Sequence, residues 1–192
     1  MTRQELHIKN MVCNRCIKVV HEELTKLGCT VHSVELGKAV VAFPGDNTLE
    51  PIKMVLEQNG FELIEDKKAQ LVDMIKTTII ELIYQDKLEE MTINFSDYIS
   101  EKLGKEYHYL TSLFSSVTSI TIEKFFILQK VERVKEWLAY NDYTLSEMAF
   151  KLAYSSVAHL SNQFKQVTGL TPTQFKNLKI QNRKPLDKIS PH

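Results

Sequence analysis

The sequence predicts an α+β chain, a small split βαββαβ sandwich followed by an all-helical region with two helix-turn-helix units. Two observations carry this. Short alternating apolar runs and two helical periodicities are punctuated by Gly28, Gly37 and Gly60 over the first 65 residues. From Thr92 onward the pattern is helical and repeats itself with a constant offset of 50 residues, Leu110 against Leu160, Phe114 against Phe164 and Val117 against Val167.

In the first part, Leu6–Lys9 alternates as a strand, and after the loop Met11–Cys16 the residues Ile17, Val20, Leu24 and Leu27 recur at helical spacing up to Gly28. Thr30–Leu36 and Lys38–Phe43 form strands joined by a hairpin at Gly37, Thr48–Asn59 is a helix, and Phe61–Ile64 is the last strand. This order is that of a ferredoxin-like fold. It brings the loop after the first strand, the Gly37 hairpin and the Gly60-Phe61 turn to one end of the sheet. Cys29 falls at the opposite end, as a small buried residue rather than a third ligand.

Lys67–Asp86 follows as one helix with Val72, Ile75, Ile79, Leu82 and Ile83 on a continuous face. Such a face packs on the following domain or pairs with its twin, so a homodimer through residues 67–86 or through the N-terminal domain is an open expectation. The acidic run Asp86–Glu90 reads as a solvated connection. The expected organisation is a first domain over 1–65, a connecting helix over 66–91, a helical domain over 92–179 and a flexible tail over 180–192, where Arg183, Lys184 and Lys188 add non-specific phosphate contact.

Composition narrows the function classes. The chain has 192 residues, 24 basic and 24 acidic, with 43 % apolar and 25 % charged residues, the balance of a globular protein. No apolar run approaches the ~20 residues that cross a bilayer, and MTRQELHIKN has no apolar signal stretch, so the expectation is a cytoplasmic protein without a membrane partner. Zero net charge hides an asymmetry of −4 over 1–91 and +4 over 92–192, the basic half being compatible with a polyanion. No Ser/His/Asp grouping, paired acids or phosphate loop supports an enzyme.

Two regions carry candidate chemistry. Cys13 and Cys16 stand as C-x-x-C where a loop enters a helix, so backbone N–H groups and Arg15 favour low thiol pKa values. Two thiolates at that spacing suit one soft ion, Cu(I) in preference to Zn(II), with a dithiol redox pair or two plain surface cysteines as alternatives. In the helical region, Ser96–Gly104 then Tyr107–Val117 form one helix, turn, helix. After a longer helix over Ile122–Tyr140, Thr144–Leu152 opens on a capping box, and a helix capped by Ser155 repeats the unit. Trp137 on the long helix reads as core.

The second helix of such a unit enters the DNA major groove. Its outward residues are Ser156, Val157, His159, Ser161, Asn162 and Lys165 in the second unit, and His108, Thr111, Ser112 and Ser115 in the first. Asn reads adenine, Ser either base, Val a thymine methyl and Lys a phosphate or guanine. No Arg lies on either face, so phosphate positioning falls to Lys102, Lys105, Lys124 and Lys176. On spacing alone, a helical bundle that binds protein is the competing reading.

Two resemblances extend this. Asn10–Cys16 with Gly60-Phe61 resembles the heavy-metal-associated domain of copper chaperones and metal-transporting ATPases, over residues 4–65. The resemblance implies that Cys13 and Cys16 bind metal, that Met11 packs under the loop and that Phe61 flanks the site. Asn10 stands where that family usually has Gly, and Asn14-Arg15 replace smaller residues. Leu145–Ala149, His159–Lys165 and Thr168-Gly169-Leu170-Thr171-Pro172 resemble the AraC-type DNA-binding domain, from Ile93 to Lys179. It implies two units docked in successive major grooves of double-stranded DNA. Ala153 stands where that family usually has glycine in the turn, Ser119 where glycine closes the first unit, and Lys176 in place of arginine. Together they imply a transcription regulator of the AraC type responsive to a soft metal; the alternative is a constitutive DNA-binding regulator whose N-terminal domain serves dimerisation or protein contact.

Overall fold

The computed structural model describes residues 3–42 and 49–177. Phe43 and Thr48 at the expected element ends, Lys179 and the tail with Arg183, Lys184 and Lys188 lie outside the described residues. The chain divides between Thr77 and Thr78 into two compact units.

The first unit runs β1 (Arg3–Lys9), α1 (Asn14–Lys26), β2 (Thr30–Glu35), β3 (Lys38–Ala42), α2 (Leu49–Gln58) and β4 (Glu62–Leu63). The order across the sheet is β2-β3-β1-β4, and each adjacent pair is antiparallel, with His7 opposite Lys38 and Ile8 opposite Leu63. This is the ferredoxin-like arrangement. Alternation aims Leu6, Ile8, Ala39 and Val41 at one face, where they meet Val20 and Leu24 of α1 and Ile52 and Leu56 of α2. Cys29 is buried in the same core.

The chain's turn at Gly37 needs a residue without Cβ twice over. Its φ is 80°, and an added Cβ would lie 3.1 Å from the Thr77 hydroxyl. The Gly37 carbonyl accepts from Ile8 N–H at 2.9 Å, which places this hairpin beside the end of β1.

The helix α3 (Lys67–Tyr84) spans the division between the units. Val72, Ile75, Ile79, Leu82 and Ile83 are all buried. The acidic segment after it corrects the sequence expectation. Asp86 takes φ 54° and its carboxylate lies 3.6 Å from Lys151 and 4.0 Å from Arg133, while Leu88 is buried. One apolar side chain and one ion-paired carboxylate anchor what the run of charges presents as a solvated connection.

The second unit continues with α4 (Phe95–Leu103), α5 (Tyr107–Thr118), α6 (Ile122–Tyr140), α7 (Leu145–Lys151), α8 (Val157–Thr168) and α9 (Pro172–Asn177). The 50-residue repeat is structural. α5 and α8 each have 12 residues and end in a left-handed residue, Ser119 and Gly169. In each, a threonine hydroxyl donates back to a phenylalanine carbonyl, Thr118 to Phe114 at 2.7 Å and Thr168 to Phe164 at 2.8 Å. In each, that phenylalanine meets another ring, Phe125 at 5.6 Å and Phe175 at 5.5 Å. Val117, expected on the inner face, is instead 53 % exposed, because it sits in the last turn of α5 beyond the packed length of the helix. Trp137 is core, edge-on to Tyr143 at 5.0 Å.

Candidate nucleic-acid interface and thiol pair

The loop between β1 and α1 is shaped by Asn10. It takes φ 71°, a left-handed conformation that asparagine tolerates, and its amide donates to the Gly60 carbonyl at 3.0 Å. An asparagine at a position where glycine would be free thus ties the loop to the turn before β4. Met11 and Phe61 are buried in the core cluster of this unit. Cys13 is the N-cap of α1, and its carbonyl accepts from Cys16 N–H at 2.9 Å.

The two sulfurs stand 3.5 Å apart, both part-exposed. Their acidities diverge. Burial would raise the Cys13 thiol, yet hydrogen bonds from Cys16 and Arg15 outweigh it and hold Cys13 below its ordinary value. Burial pushes Cys16 up, reinforced by the neighbouring Cys13 sulfur. The expectation of two acidic thiols therefore holds only for Cys13, because at Cys16 burial and the neighbouring Cys13 sulfur outweigh the backbone hydrogen bonds of Val12 and Cys13. Burial also raises Cys29. Among the described residues, no cluster of three His, Cys, Asp or Glu side chains with metal-binding proximity is formed. The donor set is a pair of soft sulfurs, which fits an ion of low coordination better than tetrahedral zinc.

In the second helical unit, Thr144 and Glu147 close a reciprocal capping box at the start of α7. The cap of α8 is Ser156, not Ser155. Its hydroxyl accepts from His159 N–H at 3.1 Å, while Ser155 Oγ lies 3.1 Å from His159 Nδ1. Ser156 is thus engaged in the helix start as well as being exposed. His159, Asn162 and Lys165 are exposed along one side of α8, and Val157 and Ser161 are half-buried. In α5, His108 and Ser112 are exposed and Ser115 is half-buried, but the Thr111 hydroxyl is buried and withdrawn from any groove. Tyr109, which the sequence reading passed over, is 49 % exposed. The 50-residue offset pairs it with His159 and could have found it. Lys102, Lys105, Lys124 and Lys176 are all exposed.

Residues 99–177 match the helix-turn-helix domain family. Over 136 residues the chain is 28 % identical to the HTH-type transcriptional regulator YtdP of Bacillus subtilis, a match covering 69 % of this chain and 17 % of YtdP. Over 177 residues it is 24 % identical to the HTH-type transcriptional regulator SAS0078 of Staphylococcus aureus, covering 91 % of this chain and 21 % of that one. The chain is a distant relative of helix-turn-helix transcriptional regulators. It spans about a fifth of the length of these curated relatives. Among solved structures, the C-terminal domain of AraT from Geobacillus stearothermophilus is similar at TM-score 0.49 and 16 % identity, over 66 % of this chain and 96 % of that one. Among the described residues, no helix is long and apolar enough to cross a membrane.

Proposed function

We propose that the chain is a sequence-specific DNA-binding regulator of transcription that lays α5 and α8 in successive major grooves on one face of the duplex. The observation that carries this is the structural repeat, two 12-residue helices 50 positions apart, each ending in a left-handed residue and carrying exposed polar side chains. Asn162 reads adenine, Lys165 a guanine or phosphate, and His108, Ser112 and His159 supply further hydrogen bonds at base edges. The exposed lysines position the protein on phosphates. Selection of duplexes from a random pool, followed by anisotropy titration at several salt concentrations, tests it. The expected result is a recovered consensus and affinity falling as salt rises; sequence-independent binding or none overturns the reading.

The relatives support the plainer form of this function, in which the first unit serves dimerisation or protein contact and binding to DNA is constitutive. The 3.5 Å sulfur pair supports a second form, in which Cys13 and Cys16 hold one soft ion such as Cu(I) and the ion alters DNA affinity. Such an ion supplies only a charge and a constraint on the loop, with no chemistry of its own. Anaerobic Cu(I) and Zn(II) titrations of the wild type and of Cys13→Ser with Cys16→Ser, each followed by DNA binding, separate the two. A metal-dependent shift lost in the double variant supports sensing; unchanged DNA affinity leaves the constitutive form.

A further inference from the structure

The middle of α6 is buried on all sides, and it carries a cation there. Lys130 is 7 % exposed and makes no ion pair among the described residues. Its Nζ instead lies 3.8 Å from the centroid of the Tyr154 ring and 5.1 Å from that of Phe126. Tyr154 is the residue that follows the left-handed turn at Ala153, between α7 and α8. Its hydroxyl donates to Gln163 Oε1 at 2.7 Å, and its ring meets the His159 imidazole edge-on at 5.2 Å. One phenol therefore touches α6 through Lys130 and the second recognition helix at two successive turns.

Among the described residues, the first unit places no aromatic side chain there. Its turn is one residue shorter: Gly104 takes the left-handed place of Ala153 and is followed by Lys105, while α5 carries Leu113 and Tyr109 where α8 carries Gln163 and His159. An unpaired buried ammonium costs stability unless something holds it, and an aromatic face is a weaker hold than a carboxylate. A side chain that only filled space here would be more stable as an apolar one.

We propose that Lys130 is a positioning residue for the second recognition helix, acting through the face of Tyr154 to fix the aim of His159 and Gln163 on α8. The first recognition helix is set without it. This rests on the DNA-binding function proposed above.

The test uses the full 192-residue chain and a duplex recovered by wild-type selection from a random-sequence pool. Bases read by α8 are those whose substitution ceases to matter in Asn162→Ala. Lys130→Met keeps the length and removes the charge. It is expected to raise the melting temperature by several degrees, since a buried charge is relieved. At the same time it weakens binding about three- to thirtyfold, the range of a desolvated cation–π contact, and flattens discrimination only at the α8 bases. Lys130→Arg restores both affinity and discrimination. Tyr154→Phe, which keeps the ring, retains most of the affinity, whereas Tyr154→Leu reproduces the loss. A variant whose stability and affinity fall together, loss spread equally over both halves of the site, no loss, or failure of arginine to rescue overturns the proposal while leaving the DNA-binding function intact. Recovery of no preferred duplex by the wild type overturns both.

Discussion

The two helix-turn-helix units are copies at the level of helix length and core, yet they place their glycines at opposite ends. In the first, Gly104 takes the left-handed turn between the helices and Ser119 takes the left-handed stop at the end. In the second, Ala153 takes the turn and Gly169 the stop. Capping differs too. α7 and α8 begin with side-chain caps from Thr144 and Ser156, whereas Asn94 and Glu106, at the starts of α4 and α5, make no side-chain cap bond. The shared parts are those that fix where the second helix of each unit lies, and the parts that differ adjust how tightly each is held.

The sharpest test of the shared part is its phenylalanine. Phe114 and Phe164 are 0 % and 1 % exposed and each packs on a second ring, so Phe114→Ala and Phe164→Ala are each expected to cost about 3–5 kcal/mol. Urea unfolding measures both. Costs differing by more than about 2 kcal/mol, the width of that range, would break the equivalence of the two cores.

A second test uses the charge found only on the side of the second unit. Burial lowers the Lys130 pKa to about 8, well below its ordinary 10.5. In the folded state the group gives up its proton earlier than in the unfolded chain. The cost of its charge is therefore present in full below pH 8 and is relieved as pH rises towards 10.5. Relative to Lys130→Met, the wild type is expected to gain about 3 kcal/mol of stability across that window, from the pKa difference alone. Parallel pH profiles for the two proteins would show that the ammonium is solvated.

Glycine stops and two periodicities made the order of elements legible, because each rests on local backbone and burial rules. The site was less legible where the outcome depends on which of two adjacent groups takes a role. Ser155 and Ser156 are equally good caps by composition, and only the extended backbone of Ser156 assigns it. Cys13 and Cys16 share one loop and both take backbone hydrogen bonds, but burial and the Cys13 sulfur prevail at Cys16 while the hydrogen bonds prevail at Cys13. Lys130 and Gln129 escaped because α6 is buried nearly all round, so polar residues there look like an exposed face in the sequence.

The caps give an intermediate effect. Thr144→Ala removes a hydroxyl that accepts from Glu147 N–H and breaks the reciprocal box, for an expected loss of about 1 kcal/mol. Asn94→Ala, at the corresponding start of the first unit, removes no side-chain bond and is expected to change stability by less than about 0.5 kcal/mol. Equal losses in thermal unfolding would mean that Asn94 caps α4 in solution after all.

The smallest effects test the glycine placement itself. Ala153 and Ser119 hold φ of 51° and 63°, where a Cβ crowds the following carbonyl. Ala153→Gly and Ser119→Gly relieve that crowding but give the unfolded chain more freedom, so a net gain of only about 0.5 kcal/mol is expected for each. The reverse changes, Gly104→Ala and Gly169→Ala, meet no heavy atom within 4 Å of the added Cβ. Whatever they cost is conformational, about 1 kcal/mol by the same crowding. Four small shifts of these signs would locate the difference between the units in the backbone alone. A loss on Ala153→Gly would instead show that the Ala153 methyl supports the turn that carries Tyr154.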